Sequence, residues 1–290
     1  MRQDRSADRF DAAAGPTIEV RAHPRVALRY HALALVPLPG DDANLHRRDY
    51  AAGWRKTLAA AGVPPAELRR CVAAAGAVLA RGPGRLQRQV DVLRQPNAAR
   101  PDGPLGQLER LLAPAHAEVW AAAADAIETC RARFAARLAR GARLFRPLRL
   151  AGLTRLVVYL CPALSGAGRA TRAGGGYFVA VGLPEDEVAD REALLQLLHE
   201  CCHPLTDGLV DEAGAGYDTD RASAAHPGHR RREDAALALG ARWLAAEPEL
   251  GAAYLRWAAR YRAPAGLAQR LFGALDVPEA LRAAVLARAA

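Results

Sequence analysis

The chain has 290 residues, of which 51% are apolar and only 6% aromatic, and its formal net charge is +9. It is long enough to bury a substantial core in one large domain or two small ones, and it holds no apolar run of the length that spans a bilayer. Much of the apolar content is alanine, a strong helix former, so a helix-rich fold with a small sheet is expected.

Residues 1–16 open polar, as Met1-Arg2-Gln3-Asp4-Arg5-Ser6, and read as a flexible tail without the apolar core of a signal peptide. The five cysteines are an odd number and fit a reducing compartment, so the expected location is cytoplasmic. A strand at about 17–21 precedes an apolar segment from Val26 to Val36 and a loop at Leu38-Pro39-Gly40-Asp41-Asp42. Helical patterns follow at about 46–61, 65–80, 84–94 and 105–140. They are broken by Pro64-Pro65, Gly82-Pro83 and Pro101-Asp102-Gly103-Pro104. His23, His31, His46 and His116 are scattered along this stretch and read as satisfied or exposed side chains rather than ligands. Residues 17–150 thus form a mostly helical region without a chemical motif, and 151–290 carry the chemistry; the two can equally be one continuous domain, 17–290.

Two strands are expected next, Leu156-Val157-Val158-Tyr159-Leu160 and Tyr177-Phe178-Val179-Ala180-Val181, with a flexible turn or loop from Ser165 to Gly176 between them. The second strand is either the edge of a small sheet or a core strand. Gly174 to Gly176 are not a phosphate loop, because no Lys-Ser or Lys-Thr pair follows.

Asp190 is placed to cap a helix that runs through Arg191-Glu192-Ala193-Leu194-Leu195-Gln196-Leu197-Leu198. His199-Glu200-Cys201-Cys202-His203 then falls on its last turn, with Pro204 and Gly208 marking the stop. Residues four apart share a helix face, so both imidazoles reach one metal ion. Glu200 lies one step round, where it acts on a water rather than ligating. Two histidines, one further protein ligand and an open position make a catalytic kind of zinc site. Cys201 and Cys202 do not share the histidines' direction and read as small buried residues.

A second helix should begin near His229, after Pro227-Gly228, and end before Pro248. On it Glu233 shares a face with Ala236, Leu237, Gly240 and Leu244, so its carboxylate points inward and needs a cation. That makes Glu233 the expected third ligand, with Asp234 next and Glu212, on the connecting loop, after it. Tyr217 and His229, with His226 beside them, are candidates to stabilise an oxyanion. A helical region at about 250–290 closes the chain, and its Tyr254, Trp257 and Tyr261 have the spacing of core packing.

On His199, Glu200, His203 and Glu233 the chain resembles the gluzincin class of zinc metallopeptidases, over roughly residues 150–250. The resemblance implies a zincin-like α+β fold, a small mixed β-sheet with an active-site helix and a following ligand helix. It also implies a peptide or protein substrate that adds a strand to a sheet edge beside the active helix. Zinc is the implied cofactor, and the implied reaction is peptide hydrolysis by water activated at the zinc, with Glu200 as general base. A looser likeness is to bacterial HExxH proteins that begin with a short strand and a proline-arginine pair, as Thr17-Ile18-Glu19-Val20 and Pro24-Arg25 do; it assigns no substrate.

Almost every basic residue is arginine, Lys56 being the one lysine. Such a bias can mark nucleic-acid binding, but the arginines are spread along the helices and stacking aromatics are scarce. Arg230-Arg231-Arg232, the densest cluster, borders the expected site. The alternative to an enzyme is therefore a protease-like binding or regulatory module that uses this surface for a nucleic acid or an acidic partner. Glu200 favours the enzyme, since a site without chemistry has no use for a general base.

Overall fold

Every residue from Leu156 to Cys161 is buried, which is how a strand reads when both faces of its sheet are covered. The computed structural model describes residues 7–11, 15–38, 45–47, 49–80, 85–98, 102–165, 168–212, 217–219 and 223–262. Among them, β1 (Ala7–Asp11), β2 (Thr17–Arg21), β3 (Arg155–Cys161), β4 (Arg169–Ala173) and β5 (Gly176–Gly182) form one sheet in the order β1-β2-β3-β5-β4. The three central strands β2, β3 and β5 run parallel, and β1 and β4 are antiparallel edges.

The period-2 alternation of the central strands divides the core in two. Ile18, Val20, Leu156, Val158, Val179 and Val181 face one side. They meet α6 (Ala124–Arg140), a 3-10 segment (Ala142–Ala151), α7 (Glu187–Glu200), α9 (His226–Trp243) and α10 (Pro248–Arg262). Val157, Tyr159, Cys161, Phe178 and Ala180 face the other side, against α1 (Pro24–Leu35), α2 (Tyr50–Ala60), α3 (Pro65–Ala80), α4 (Arg85–Arg94) and α5 (Pro104–Ala122). A third, small cluster joins Leu205 and Val210 of α8 (His203–Glu212) to Ala235, Ala236 and Leu239 of α9. The molecule is thus helix-rich with a small mixed sheet; the HExxH motif spans the end of α7 and the start of α8, and α9 follows with Glu233, a zincin-like arrangement. No described helix is long and apolar enough to cross a membrane.

Several expectations need correction. The tail read at 1–16 contains β1, which pairs through its backbone with β2; such pairing leaves no apolar pattern to read. The apolar segment after β2 is α1, begun by Pro24, whose missing N–H costs nothing there, with the His23 ring accepting from the Arg25 N–H. The pattern at 105–140 is two helices, broken at Ala123. The loop expected from Ser165 to Gly176 contains β4, and β4, not β5, is the edge. Its Arg-Ala-Thr-Arg-Ala sequence lacks apolar alternation because an edge strand is held by backbone bonds to one neighbour. Gly174, at φ +56°, turns the chain from β4 into β5. Beyond α10, residues 263–290 of the expected C-terminal helical region lie outside the described residues.

His31 is neither exposed nor hydrogen-bonded among the described residues. Its ring packs against Trp54 (4.1 Å between centroids), His116 (5.4 Å) and Tyr50 (5.8 Å), and burial pushes it down to about 3, so it serves as a neutral aromatic. The same layer holds a buried charge. Arg25 and Arg29 from α1 both bond the Glu109 carboxylate of α5, and Glu109 is fully buried. Removing Glu109 would take away the carboxylate shared by both arginines and leave the buried Arg29 with Asp91 alone as an acidic partner. Glu109→Ala should therefore lower the unfolding free energy by about 3–5 kcal/mol, read from urea denaturation midpoints. A change under about 1 kcal/mol would mean that the three side chains are not held together in solution.

Candidate metal centre

The helix that carries the motif starts one turn earlier than its sequence suggests. Asp186, not Asp190, is the cap: its side chain accepts the Ala189 N–H at 2.8 Å. Asp190 is buried inside the helix and paired with Arg133 at 2.7 Å. A buried carboxylate with a guanidinium partner is satisfied there and has no need of the helix end.

The motif is not on one continuous helix. α7 ends at Glu200, and α8 begins at His203. Pro204 explains the break. In an unbroken helix the N–H of residue 204 would bond the carbonyl of Glu200, and proline has no N–H and a ring that crowds that carbonyl. The chain tightens instead, with Cys202 N–H on the His199 carbonyl at 2.9 Å and Leu205 N–H on the Cys202 carbonyl at 3.0 Å. The carbonyl freed at Glu200 accepts from the buried Tyr177 hydroxyl of β5 at 2.8 Å. Pro204 and Gly208, expected to stop a helix, thus lie in the next one. Cys201 and Cys202 are fully buried at the turn, their thiols pushed up by burial, and Cys202 donates to the Leu198 carbonyl at 3.2 Å. They pack, as expected of small apolar residues.

Despite the break, the two imidazoles stay side by side, 5.0 Å between centroids. Glu233 reaches them from α9. His199 Nε2 is 3.1 Å from Glu233 Oε2 and His203 Nε2 is 3.6 Å from Glu233 Oε1. One ligand atom from each of the three residues lies within 4.8 Å of the other two, the one such group of His, Cys, Asp and Glu among the described residues. Asp234, the next residue, is buried but outside this group. Glu212 ends α8 rather than lying in a loop, and its side chain is outside the described residues.

The donor set fits a metal in its orientation as well as its composition. Both histidines turn Nε2 toward Glu233 and Nδ1 toward another protein oxygen. His203 Nδ1 is 2.9 Å from Asp207 Oδ1, and His199 Nδ1 is 3.5 Å from the Tyr254 hydroxyl. Metal-binding imidazoles carry such partners, because a donated Nδ1–H leaves the Nε2 lone pair for the ion. Asp207 is held in turn by Arg232, which pairs with Asp211 and lies over the Tyr217 ring, 4.4 Å from its centroid. Two imidazoles and one carboxylate are a zinc donor set with room for a fourth ligand. Without a cation, protons take its place. Burial works to lower His203, but Asp207 and Glu233 outweigh it and push it up to about 10. Burial works to raise Glu233, but the histidines, His203 first, hold it well below the usual carboxylate range.

Glu200 stands beside this group and outside it. It is buried, and Gln196 Nε2–H donates to its Oε1 at 2.8 Å. Gly168, just before β4, faces it. A Cβ there would fall 2.7 Å from Glu200 Oε1, so the carboxylate occupies space that any other residue would fill. His226 opens α9, a turn earlier than expected, and stacks on His229 at 5.6 Å. His229 Nδ1 is 3.8 Å from Glu233 Oε1, and the Tyr217 ring meets the His229 ring edge-on at 5.3 Å. Tyr254 and Trp257, expected to be core, also border the centre, with Trp257 5.5 Å from the His199 ring. Their helical spacing was visible, but only the docking of α10 on α7 brings them there.

Comparison with protein-family models, with characterised proteins and with solved structures gave no match. The side chains carry the likeness alone: His199, Glu200 and His203 with the downstream Glu233 match the gluzincin HExxH-plus-Glu signature. Their geometry is consistent with a zinc-coordinating catalytic site of the HExxH metallopeptidase type.

Purified protein should carry close to one zinc per chain by metal analysis. His199→Ala, His203→Ala and Glu233→Ala should each lose it, and Asp234→Ala should keep it. Zinc retained in both histidine variants would remove the assignment. Zinc binding should also release protons, because metal-free His203 is protonated below about 10. At pH 7–8 calorimetry in buffers of different ionisation enthalpy should show release of about one proton per zinc, and affinity should rise as pH rises. Uptake of a proton, or affinity independent of pH, would contradict the ion-paired site.

Proposed function

We propose that the protein is a zinc-dependent metallopeptidase with Glu200 as its general base. The observation that carries this reading is a carboxylate set beside the His199–His203–Glu233 group and held out of it, with the residue opposite reduced to glycine. A zinc ion held by those three residues would polarise the scissile carbonyl and acidify a nearby water. Glu200 then takes a proton from the attacking water as its oxygen bonds the carbonyl carbon. When the C–N bond breaks, Glu200 delivers that proton to the leaving nitrogen. Gln196 fixes the carboxylate's direction through one oxygen and leaves the other to the proton. His229, 3.8 Å from Glu233, and Tyr217, whose ring meets the His229 ring, are proposed to steady the developing oxyanion.

An extended peptide or protein segment is the proposed substrate. The edge strand β4 begins next to Gly168, and thus next to Glu200, so a strand added to that edge would pass the base. The alternative, a binding module for nucleic acid or an acidic partner, draws less support. Arg232 of the densest arginine cluster is engaged by Asp207, Asp211 and Tyr217. Five free cysteines support a cytoplasmic setting. The sheet mixes strands from 7–21 and 155–182, which supports reading the two halves of the chain as one continuous domain.

Glu200→Gln separates the two readings. It keeps the side chain's shape and the zinc but cannot accept a proton, so cleavage of a mixed peptide library should fall by at least about 10²-fold. A chelator should abolish wild-type cleavage. If Glu200→Gln cleaves as well as wild type, the mechanism is wrong; if zinc-loaded wild type cleaves nothing, the binding module takes its place.

A further inference from the structure

We propose that Tyr254 is the positioning residue for His199, its hydroxyl accepting the Nδ1 hydrogen once Nε2 is given to the metal, and that Gly240 is a glycine because the Tyr254 hydroxyl occupies its Cβ position. The inference rests on the metal reading above. Tyr254 lies on α10 and is fully buried. Its hydroxyl has one hydrogen-bond partner among the described residues, His199 Nδ1, at 3.5 Å. Packing holds the ring there: Trp257 lies 5.5 Å from the Tyr254 ring and 5.5 Å from the His199 ring.

Gly240 closes the other side. It sits on α9, the helix of Glu233, and a Cβ on it would fall 2.2 Å from the Tyr254 oxygen and 2.5 Å from Cζ. Glycine weakens a helix interior, so a glycine there calls for a structural reason, and the hydroxyl supplies one. The result is an unlike pair. His203 has a charged acceptor, Asp207, that solvent reaches; His199 has a neutral hydroxyl inside the core. A neutral hydroxyl orients the ring and adds no second negative charge beside Glu233.

Zinc affinity by chelator competition, with the melting temperature of the metal-free protein, tests this. Tyr254→Phe removes only the hydroxyl. It should weaken zinc about 10–100-fold while the metal-free protein melts within about 4 °C of wild type. Nitrogen NMR should show the His199 Nδ1 proton protected from exchange in zinc-loaded wild type and unprotected in Tyr254→Phe. Gly240→Ala should weaken zinc in the same direction by driving the hydroxyl away. If wild type binds zinc and Tyr254→Phe binds it equally well, the inference fails while the metal reading stands. A loss of affinity matched by a collapse of the metal-free protein assigns Tyr254 to packing and also overturns it. If wild type binds no zinc, the metal reading fails and takes this one with it.

Discussion

A half-buried carboxylate set against two imidazoles between helices needs a positive charge. Glu233 is in that position, and the surrounding structure is arranged around the charge it requires. In the metal-free protein His203 supplies it by holding a proton up to about 10. A zinc ion supplies it better, since it satisfies both Nε2 lone pairs and the carboxylate at once. Asp207 and Tyr254 each stand at the Nδ1 of a ring whose Nε2 faces Glu233, so the two rings turn the same edge toward the carboxylate.

The same demand reaches the sheet through one proline. Pro204 frees the Glu200 carbonyl, and a buried carbonyl must be bonded. Tyr177 provides the bond from β5, so the backbone of the proposed base is tied directly to the central sheet. Its side chain is tied to Gln196 one turn back and given room by Gly168. The break in the helix is thus a fixed joint, and it separates the orientation of His203, set by α8, from that of His199, set by α7 and α10.

How much of this the sequence revealed follows from the range of the interactions involved. His199, Glu200 and His203 were legible because four-residue spacing and helix geometry are local. Glu233 was legible because an acid on an otherwise small and apolar helix face has few uses. Asp190 looks as good a cap as Asp186, because both can cap and only the distant Arg133 decides between them. β4 reads as a loop because its pairing with β5 depends on backbone bonds that its polar side chains do not announce. Pro204 reads as a stop, whereas at the first turn of a new helix it is a start, so the break at Cys201 has no local signal of its own. Tyr254 reads as core, which fits its burial, but no sequence pattern reports the docking of α10 on α7.

The two helical layers also differ in what they do for the centre. The ligands and their partners come from α7, α8, α9 and α10, all packed on one face of the sheet or on each other. The layer of α1 to α5 reaches the site through β4, where Arg169 donates to Gln89 of α4 at 3.0 Å, one residue from Gly168. That layer stiffens the edge strand and leaves the ligand group untouched. Within the group, exposure rises from the His199 side chain, at 6%, through His203, at 14%, to Glu233, at 29%. The centre is therefore walled by Tyr254 and Trp257 at His199 and meets solvent on the side where α8 and α9 converge.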